Sequence, residues 1–161
     1  MKKFVALLLA VLMVASLCAC GQKDTGSDLQ TVTKGKLIMS TNAEFAPYEY
    51  VADDGKGFQG TGYEGIDIEI AYALAQKLGL ELVVDNMDFD AALSAVQTGK
   101  SDMVAAGVTV TPDRLNAMSF TDSYANGVQV VIVKEGSDIK SIDDLQGKKI
   151  GTQRGTTGFL Y

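Results

Sequence analysis

Short apolar runs and helical repeats alternate along the middle of the chain. Three apolar runs bounded by turn residues predict strands, at residues 36–41, 80–84 and 101–106. Two helices are predicted between them, over residues 66–78, with an apolar residue at every fourth position and a cap at Gly79, and over residues 88–98. Strands that alternate with helices in this way predict an α/β fold, with helices on both faces of a parallel sheet.

After residue 125 the α/β pattern begins again. Strands are predicted at residues 128–133 and 149–152, with a short helix from Ser141 between them and another helix that begins within residues 155–158. A βα unit interrupted at this point would leave unpaired strand edges and an uncovered core face. We therefore expect that the chain is incomplete, with a second α/β unit that opens and does not close.

A cation is predicted in the first turn of a short helix that follows the third strand. The Thr111 hydroxyl can cap this helix, and Pro112 fits its first position, where a missing N–H costs nothing. The positive charge of Arg114 is then unfavourable beside the positive end of the helix dipole. Its presence there is explained if an anion is held between the guanidinium and the free N–H groups of the first turn. The alternative is an ion pair of Arg114 with Asp113 or Asp122.

Four residues from distant parts of the sequence fall at the C-terminal ends of the predicted strands or in the loops beyond them: Phe45, Phe89, Thr109 and Arg114. Phe45 belongs to an aromatic-rich segment over residues 42–50, in which Pro47 predicts a loop, and a turn follows at residues 53–57. Ligands of parallel α/β sheets bind beyond these strand ends. The pattern therefore predicts a binding site at one rim of the sheet.

The start of the chain is typical of an exported protein. Lys2 and Lys3 precede an apolar run over residues 4–17, and small residues follow. This pattern predicts a signal peptide over residues 1–19, because the run is too short for a membrane-spanning helix.

The end of the predicted signal peptide resembles a bacterial lipobox. Residues 17–21 read Leu-Cys-Ala-Cys-Gly, so Cys20 would be the lipid-modified first residue of the mature protein. The alternative is ordinary cleavage, with Cys20 incidental. Residues 20–36 contain few apolar side chains and predict a flexible tether between the anchor and the folded domain.

Composition argues against several kinds of site. The 161 residues contain 20 Asp and Glu, 14 Lys and Arg, and no His, and loss of Lys2 and Lys3 would make the net charge about −8. An acidic surface argues against nucleic acid as a partner, because phosphates require basic side chains. With no His, and with Cys18 lost in the signal peptide, neither a metal site nor another cofactor is expected.

Two stretches resemble nucleotide-binding motifs without meeting their requirements. Residues 60–65 match G-x-G-x-x-G, but a polar turn precedes them where a dinucleotide site needs a buried strand. Residues 98–101 resemble the end of a phosphate-binding loop, but Ser94 takes the place of its first glycine. A G-x-S-x-G motif and a His base are both absent from the sequence, so nucleophilic catalysis is not predicted.

Six motifs, in this order and spacing, resemble the family 3 extracellular solute-binding proteins, the polar amino-acid receptors of ABC importers. They are Phe-Ala-Pro-Tyr at 45–48, Gly-Ile-Asp-Ile-Glu-Ile at 65–70, Gly-Lys-Ser-Asp at 99–102, Thr-Val-Thr-Pro-Asp-Arg at 109–114, Phe-Thr-Asp-Ser-Tyr at 120–124 and Leu-Gln-Gly-Lys-Lys-Ile-Gly at 145–151. The resemblance covers residues 35–161. It implies a periplasmic-binding-protein-like (type II) fold, whose two α/β lobes are joined by a hinge and close on the ligand. Residues 37–125 would be lobe 1, mostly present, and residues 126–161 the start of an incomplete lobe 2.

The resemblance implies a site for the carboxylate of a free amino acid. Arg114 matches the residue that clamps this carboxylate, and its guanidinium supplies two parallel donors. Thr156 and Thr157 match contacts from the second lobe to the same carboxylate. Thr109 offers a hydroxyl and a backbone N–H.

The rest of the amino acid would meet other residues at the same rim. Gly107 matches a position whose carbonyl receives the ligand ammonium, while the family's acidic partner for the ammonium lies beyond residue 161. Phe45 matches the aromatic residue against the ligand side chain, and Phe89 an apolar wall. Asn42 and Ala106 stand where some members have Asp and Ser, so the resemblance does not imply a basic ligand.

The resemblance implies a transport receptor that is not an enzyme. Such a protein binds an amino acid and delivers it to the transmembrane permease subunits of an ABC importer. It is expected to be a monomer, extracytoplasmic and anchored to the bacterial cell membrane through lipid on Cys20. The alternatives are a ligand-sensing domain, which needs a spanning helix after the second lobe, and an exported dehydratase-like enzyme, which needs a titratable acid or base in the cleft.

Overall fold

The computed structural model describes residues 29–160, so the predicted signal peptide, Cys20 and the first part of the predicted tether lie outside the described residues. The strands are β1 (Lys36–Thr41), β2 (Glu44–Phe45), β3 (Glu49–Val51), β4 (Tyr63–Glu64), β5 (Glu81–Asn86) and β6 (Met103–Val104). The helices are α1 (Ile66–Leu78), α2 (Phe89–Gln97), α3 (Pro112–Leu115) and α4 (Thr157–Leu160), with 3₁₀ turns at Phe58–Gly60 and Ile142–Leu145.

A parallel sheet in the order β5-β1-β6 confirms the predicted α/β arrangement. β1 pairs with β5 along its whole length, starting with Lys36 opposite Glu81. β6 is shorter than the strand predicted over residues 101–106. Its ladder begins late because the Asp102 carboxylate, and not a backbone carbonyl, accepts the N–H of Ile38 (2.7 Å).

Helices cover both faces of this sheet, as predicted. Met39 of β1 packs with Ile68 and Ala71 of α1. The next side chain, Ser40, points to the opposite face, where its hydroxyl donates to the carbonyl of Ala92 in α2 (3.0 Å). β1 is therefore covered on both faces, and its C-terminal end leads to the rim where the site was predicted.

The apolar repeat that predicts α1 does not mark its buried face. Ile66, Ile70 and Leu74 are 42%, 41% and 38% exposed. The buried positions are Asp67, Ile68, Ala71 and Ala75. Small alanines allow the helix to approach the sheet closely, so the repeat locates the helix correctly without showing which side packs. Gly79 ends α1 in the left-handed conformation, as predicted.

The segment predicted as a loop over residues 42–50 is partly strand, so this prediction was wrong. β2, β3 and β4 form a second, antiparallel sheet, in which Glu44 lies opposite Tyr50. Strands of two or three residues are too short to show an alternating pattern, and Pro47 lies in the turn between β2 and β3.

The strands predicted at residues 128–133 and 149–152 are not formed, so these predictions were wrong. Val128 and Ile132 are 85% and 94% exposed. A strand needs a partner for its backbone N–H and C=O groups, and within residues 29–160 no segment pairs with either one. High strand propensity alone therefore leaves the first segment unpaired.

The helical predictions for this part of the chain fare better. The predicted short helix is the 3₁₀ turn at Ile142–Leu145, and Ser141 and Asp144 form a reciprocal capping box at its start. The helix predicted to begin within residues 155–158 forms as α4. Caps depend on near neighbours in sequence, so they form without a partner strand.

Candidate ligand-binding site

The cap predicted for the helix that holds Arg114 is confirmed. α3 begins with Pro112, and the Thr111 hydroxyl accepts the backbone N–H of Arg114 (3.3 Å). The local sequence thus fixes the backbone at Arg114.

The guanidinium of Arg114 contacts two other predicted site residues and Gly155, which precedes the two predicted threonines. Nη1 donates to the carbonyl of Thr109 (2.8 Å) and Nη2 to the carbonyl of Gly155 (3.0 Å). The guanidinium also lies over the ring of Phe89, 5.4 Å from its centroid, in a cation–π contact. Within the described range, neither Asp113 nor Asp122 forms an ion pair with it.

Arg114 carries its charge in a partly buried position. Burial lowers the pKa of its guanidinium, and the negative charge of Asp90 raises it. An arginine stays protonated at physiological pH in spite of such shifts. Asp90 itself lies 3.4 Å from Nε of the exposed Arg154. The rim therefore presents a partly desolvated cation whose described hydrogen-bond acceptors are all carbonyls.

Phe45 and Gly107 meet in the loop that leads to Thr109. Gly107 has a φ of +53°, and a Cβ on it would lie 2.8 Å from a ring carbon of Phe45. Phe45 is half exposed and stacks on Tyr48 with 5.2 Å between the ring centroids. Because Gly107 is two residues from Thr109, these contacts and those of Arg114 form one continuous rim. The structure thus brings together five predicted residues: Phe45, Phe89, Gly107, Thr109 and Arg114.

The two predicted threonines are near this rim, but their hydroxyls do not bond to Arg114. The Thr156 hydroxyl donates to the carbonyl of Gln153 (2.8 Å), and the Thr157 hydroxyl donates to the side chain of Gln129 (3.3 Å). Their neighbour Gly155 makes the bond to Arg114. This segment therefore meets Arg114 through a backbone group that sequence reasoning did not select, and the contact of the two threonines with a ligand carboxylate stays a prediction.

Asn42 is fully engaged at the end of β1. Its amide donates to the carbonyl of Met87 (3.0 Å), and its side-chain oxygen accepts from the amide of Gln153 (2.8 Å). Ala106 is buried against Phe89. A neutral amide pair thus lies at the position where an acidic residue would favour a basic ligand.

Two buried carboxyl groups under the rim were missed from the sequence. Glu49 and Asp67 are each 1% exposed. Asp67 accepts the backbone N–H of Gly107 (2.9 Å). Burial is the main cause that raises the pKa of Glu49 to about 9, and the neighbouring Asp67 acts in the same direction. The only available sign was that Asp67 shares a helical face with Ala71 and Ala75.

The glycine-rich stretch over residues 60–65 leads into a helix start that is already occupied. The N–H groups of Ile66 and Asp67 lie in the first turn of α1 and have no acceptor within the helix. They donate instead to the backbone carbonyls of Pro47 (3.1 Å) and Tyr48 (2.9 Å), respectively. A phosphate would need those same donors. The structure thus agrees with the rejection of a dinucleotide site.

A pocket of about 300 Å³ lies away from the predicted residues, between the second sheet and the first turn of α1. It is lined by Pro47, Tyr50, Gly57, Phe58, Glu64, Gly65, Ile66 and Glu69. Its two glutamates would repel a ligand carboxylate. None of the helices within residues 29–160 combines the length and the apolar composition of a membrane-spanning segment. The same residues contain no cluster of three His, Cys, Asp or Glu side chains that could hold a metal ion.

Solved structures share this α/β arrangement. The arginine-bound form of truncated ArgBP from T. maritima has a TM-score of 0.72 and 34% identity, covering 80% of this chain and 59% of that one. An ancestral arginine-binding protein bound to arginine has a TM-score of 0.71 and 41% identity, covering 79% of this chain and 54% of that one. The fold is therefore that of the type II periplasmic binding proteins, of which this chain covers part.

Sequence relatives agree with the fold. The chain is 38% identical over 156 residues to the arginine-binding extracellular protein ArtP of Bacillus subtilis, covering 97% of this chain and 57% of ArtP. The chain likewise covers 57% of the length of a second curated relative. Residues 37–159 match the family model of the bacterial extracellular solute-binding proteins, family 3. The chain therefore belongs to the bacterial extracellular solute-binding proteins, family 3.

Proposed function

We propose that this chain is the substrate-binding component of an ABC importer. It binds a free amino acid through its carboxylate and ammonium groups and delivers it to the transmembrane permease subunits. The observation that carries this proposal is the Arg114 guanidinium, held on Phe89 at the rim, with carbonyl groups as its only described acceptors. In the described residues this cation feels the charge of Asp90 but forms no ion pair, so it suits a ligand carboxylate, which it can bind through two parallel hydrogen bonds.

The carboxylate of the ligand would take over one of the present contacts of Arg114. Nη2 now donates to the carbonyl of Gly155, and this acceptor is neutral. A carboxylate is the stronger acceptor, because charge-assisted hydrogen bonds are about twice as strong as neutral ones. Thr156 and Thr157, which follow Gly155, would then contact the same carboxylate from the second lobe, while Thr109 contributes from the first.

The other parts of the amino acid would lie toward Gly107 and Phe45. The ammonium would meet the Gly107 carbonyl, and the side chain would pack between Phe45 and Phe89. Asn42 is buried and hydrogen-bonded to Met87 and Gln153, so it places a neutral amide where an acidic residue would favour a basic ligand. A basic ligand is therefore not part of the proposal.

The proposed role is binding without catalysis, by an extracytoplasmic monomer. Two carboxyl groups close to the Gly107 loop, on Glu49 and Asp67, are buried behind it, and Asp90 is paired with Arg154. A general acid or base must reach the ligand, which these groups do not do as placed. We propose residues 37–125 as lobe 1 and residues 126–161 as part of lobe 2.

A thermal-shift screen of the full-length protein against the common amino acids tests this function. A ligand at 1,000 times its Kd stabilises the folded state by about 4.1 kcal/mol, which raises the Tm by roughly 8–16 °C in a protein of 150–250 residues. We expect at least one amino acid to do this at millimolar concentration, and its N-acetyl and methyl ester derivatives to fail. A protein that responds to no amino acid, or equally to the blocked derivatives, would contradict the proposal.

The lipid anchor is a separate proposal, and its test uses the two cysteines of the chain. Cys20→Ala should release the protein from the membrane fraction, because a tether without acyl chains has no membrane affinity. Cys18→Ala is the matched control and should stay membrane-bound. Radiolabelled palmitate incorporated into wild type and Cys18→Ala, but not into Cys20→Ala, is the expected result. Equal labelling of all three proteins would show that the lipid is not on Cys20.

A further inference from the structure

The carboxyl groups of Glu49 and Asp67 are buried together under the rim. Glu49 is the first residue of β3 and Asp67 the second residue of α1, and each is 1% exposed. Among the described residues, Oε2 of Glu49 and Oδ1 of Asp67 are buried without a hydrogen-bond partner. Burying a carboxylate costs free energy unless it is paired, so the retention of two such groups needs a reason.

The other oxygen of Asp67 is bonded to the loop that carries the proposed ammonium acceptor. Oδ2 accepts the N–H of Gly107 (2.9 Å). Gly107 is held at a φ of +53°, and the Phe45 ring packs where a Cβ would lie. One hydrogen bond therefore ties the first turn of α1 to the loop that carries the ligand-facing carbonyl.

We propose that Asp67 is a positioning residue of the amino-acid site, whose buried carboxylate holds the Gly107 loop in its ligand-binding conformation. This inference rests on the proposed function, since Gly107 matters only if it faces a ligand. Asp67 itself does not touch the amino acid. It acts by keeping the loop in one conformation before the ligand arrives, so that little of the binding free energy is spent on ordering the loop.

The protonation of Glu49 is set by its burial beside Asp67. Two adjacent carboxyl groups in a buried site do not both ionise. Burial and the neighbouring Asp67 raise the pKa of Glu49 to about 9, so at neutral pH Glu49 holds the proton of the pair. Among the described residues, the other titratable group that interacts with the pair is Tyr124, whose pKa is raised by burial and by Asp67. Asp67 is thus left as the acceptor for Gly107.

The test measures the ligand affinity of Asp67→Ala and Asp67→Asn by calorimetry. Both variants are made in the full-length protein, and the ligand is an amino acid that binds wild type. Asp67→Ala removes the acceptor for the Gly107 N–H and should weaken binding roughly 10- to 100-fold. Asp67→Asn keeps an acceptor oxygen and should stay within about 5-fold of wild type. Glu69→Gln, which alters an exposed acid on the same helix, is the control and should bind like wild type.

Several outcomes would overturn the proposal. A folded Asp67→Ala protein that binds within 3-fold of wild type would show that the hydrogen bond does not position the site, and equal losses in both variants would show the same. If Asp67→Ala does not fold, hydrogen exchange of the Gly107 amide in wild type decides: exchange as fast as in an exposed loop contradicts the proposal, and protection that Asp67→Asn retains supports it. A wild type that binds no amino acid would refute the proposed function instead.

The protonation of the pair has its own readout, which needs no ligand. A carboxyl group whose pKa rises from 4.5 to about 9 on folding stabilises the protein fully below pH 4.5, and this contribution is lost as the pH rises toward 9. The Tm of wild type should therefore fall by roughly 5 °C or more between pH 6 and 8.5. Glu49→Gln should show little of this dependence. The same slope in both proteins would contradict the assignment of the proton to Glu49.

Discussion

Replacement of Arg114 by alanine is expected to weaken amino-acid binding by roughly 30-fold to several thousand-fold, which corresponds to about 2–5 kcal/mol. The variant would lose both donors to the ligand carboxylate and would leave that carboxylate desolvated against the ring of Phe89. Since every amino acid has the same carboxylate, the loss should be nearly equal for all ligands. Calorimetry with two amino acids of different side chains measures this directly.

Two further variants separate the parts of the site. Arg114→Lys keeps the positive charge but cannot reproduce the two parallel donors, so it should still bind far more weakly than wild type. Phe45→Ala should change the ranking of ligands, because Phe45 is proposed to face their side chains and not their carboxylate. A uniform loss from Arg114 variants together with a ligand-dependent loss from Phe45→Ala would support the proposed orientation.

A purely structural role for Arg114 makes a different prediction. Its bonds to the carbonyls of Thr109 and Gly155 would then matter only for stability. Arg114→Ala would lower the Tm of free and ligand-bound protein by the same amount and leave the Kd near that of wild type. An unchanged Kd would remove Arg114 from the site and leave the proposed function without the observation that carries it.

Local patterns in the sequence were sufficient for much of the sheet and for the position of Arg114. β1 was predicted with the bounds that the structure shows, and the Thr111 cap and the Gly79 cap are both confirmed. Each of these features depends on side chains within a few residues of one another. The rim was predictable because parallel strands bring their C-terminal ends together, whatever the loops contain.

Features that depend on distant partners could not be predicted in this way. Asp67 has an ordinary local explanation, since an acidic residue in the first turn of a helix complements the dipole. Only the packing of α1 and β3 shows that it is buried beside Glu49 and bonded to Gly107. The strand predicted over residues 128–133 also depends on a distant partner. Its apolar residues are typical of a strand, but no described segment pairs with it.

Gly65→Ala is expected to destabilise the protein by roughly 3–5 kcal/mol, a fall in Tm of about 6–20 °C for a protein of this size class. Gly65 precedes α1 at a φ of +119° and a ψ of 171°, a region that glycine alone occupies readily. A Cβ there would overlap the backbone oxygen of Tyr48, the same carbonyl that accepts the N–H of Asp67. The backbone of the β2–β3 turn or the start of α1 would have to move.

Gly60→Ala is the matched control for that substitution, because it separates backbone strain from steric overlap. Gly60 also has a positive φ, +82°, but a Cβ on it would meet nothing within 4 Å. It should therefore cost only the left-handed penalty of about 1–2 kcal/mol. Thermal unfolding of the two variants beside wild type should give a clearly larger loss for Gly65→Ala. Equal losses would mean that the close approach of α1 to Tyr48 is not maintained in solution, and the buried position of Asp67, two residues further along, would lose its structural support.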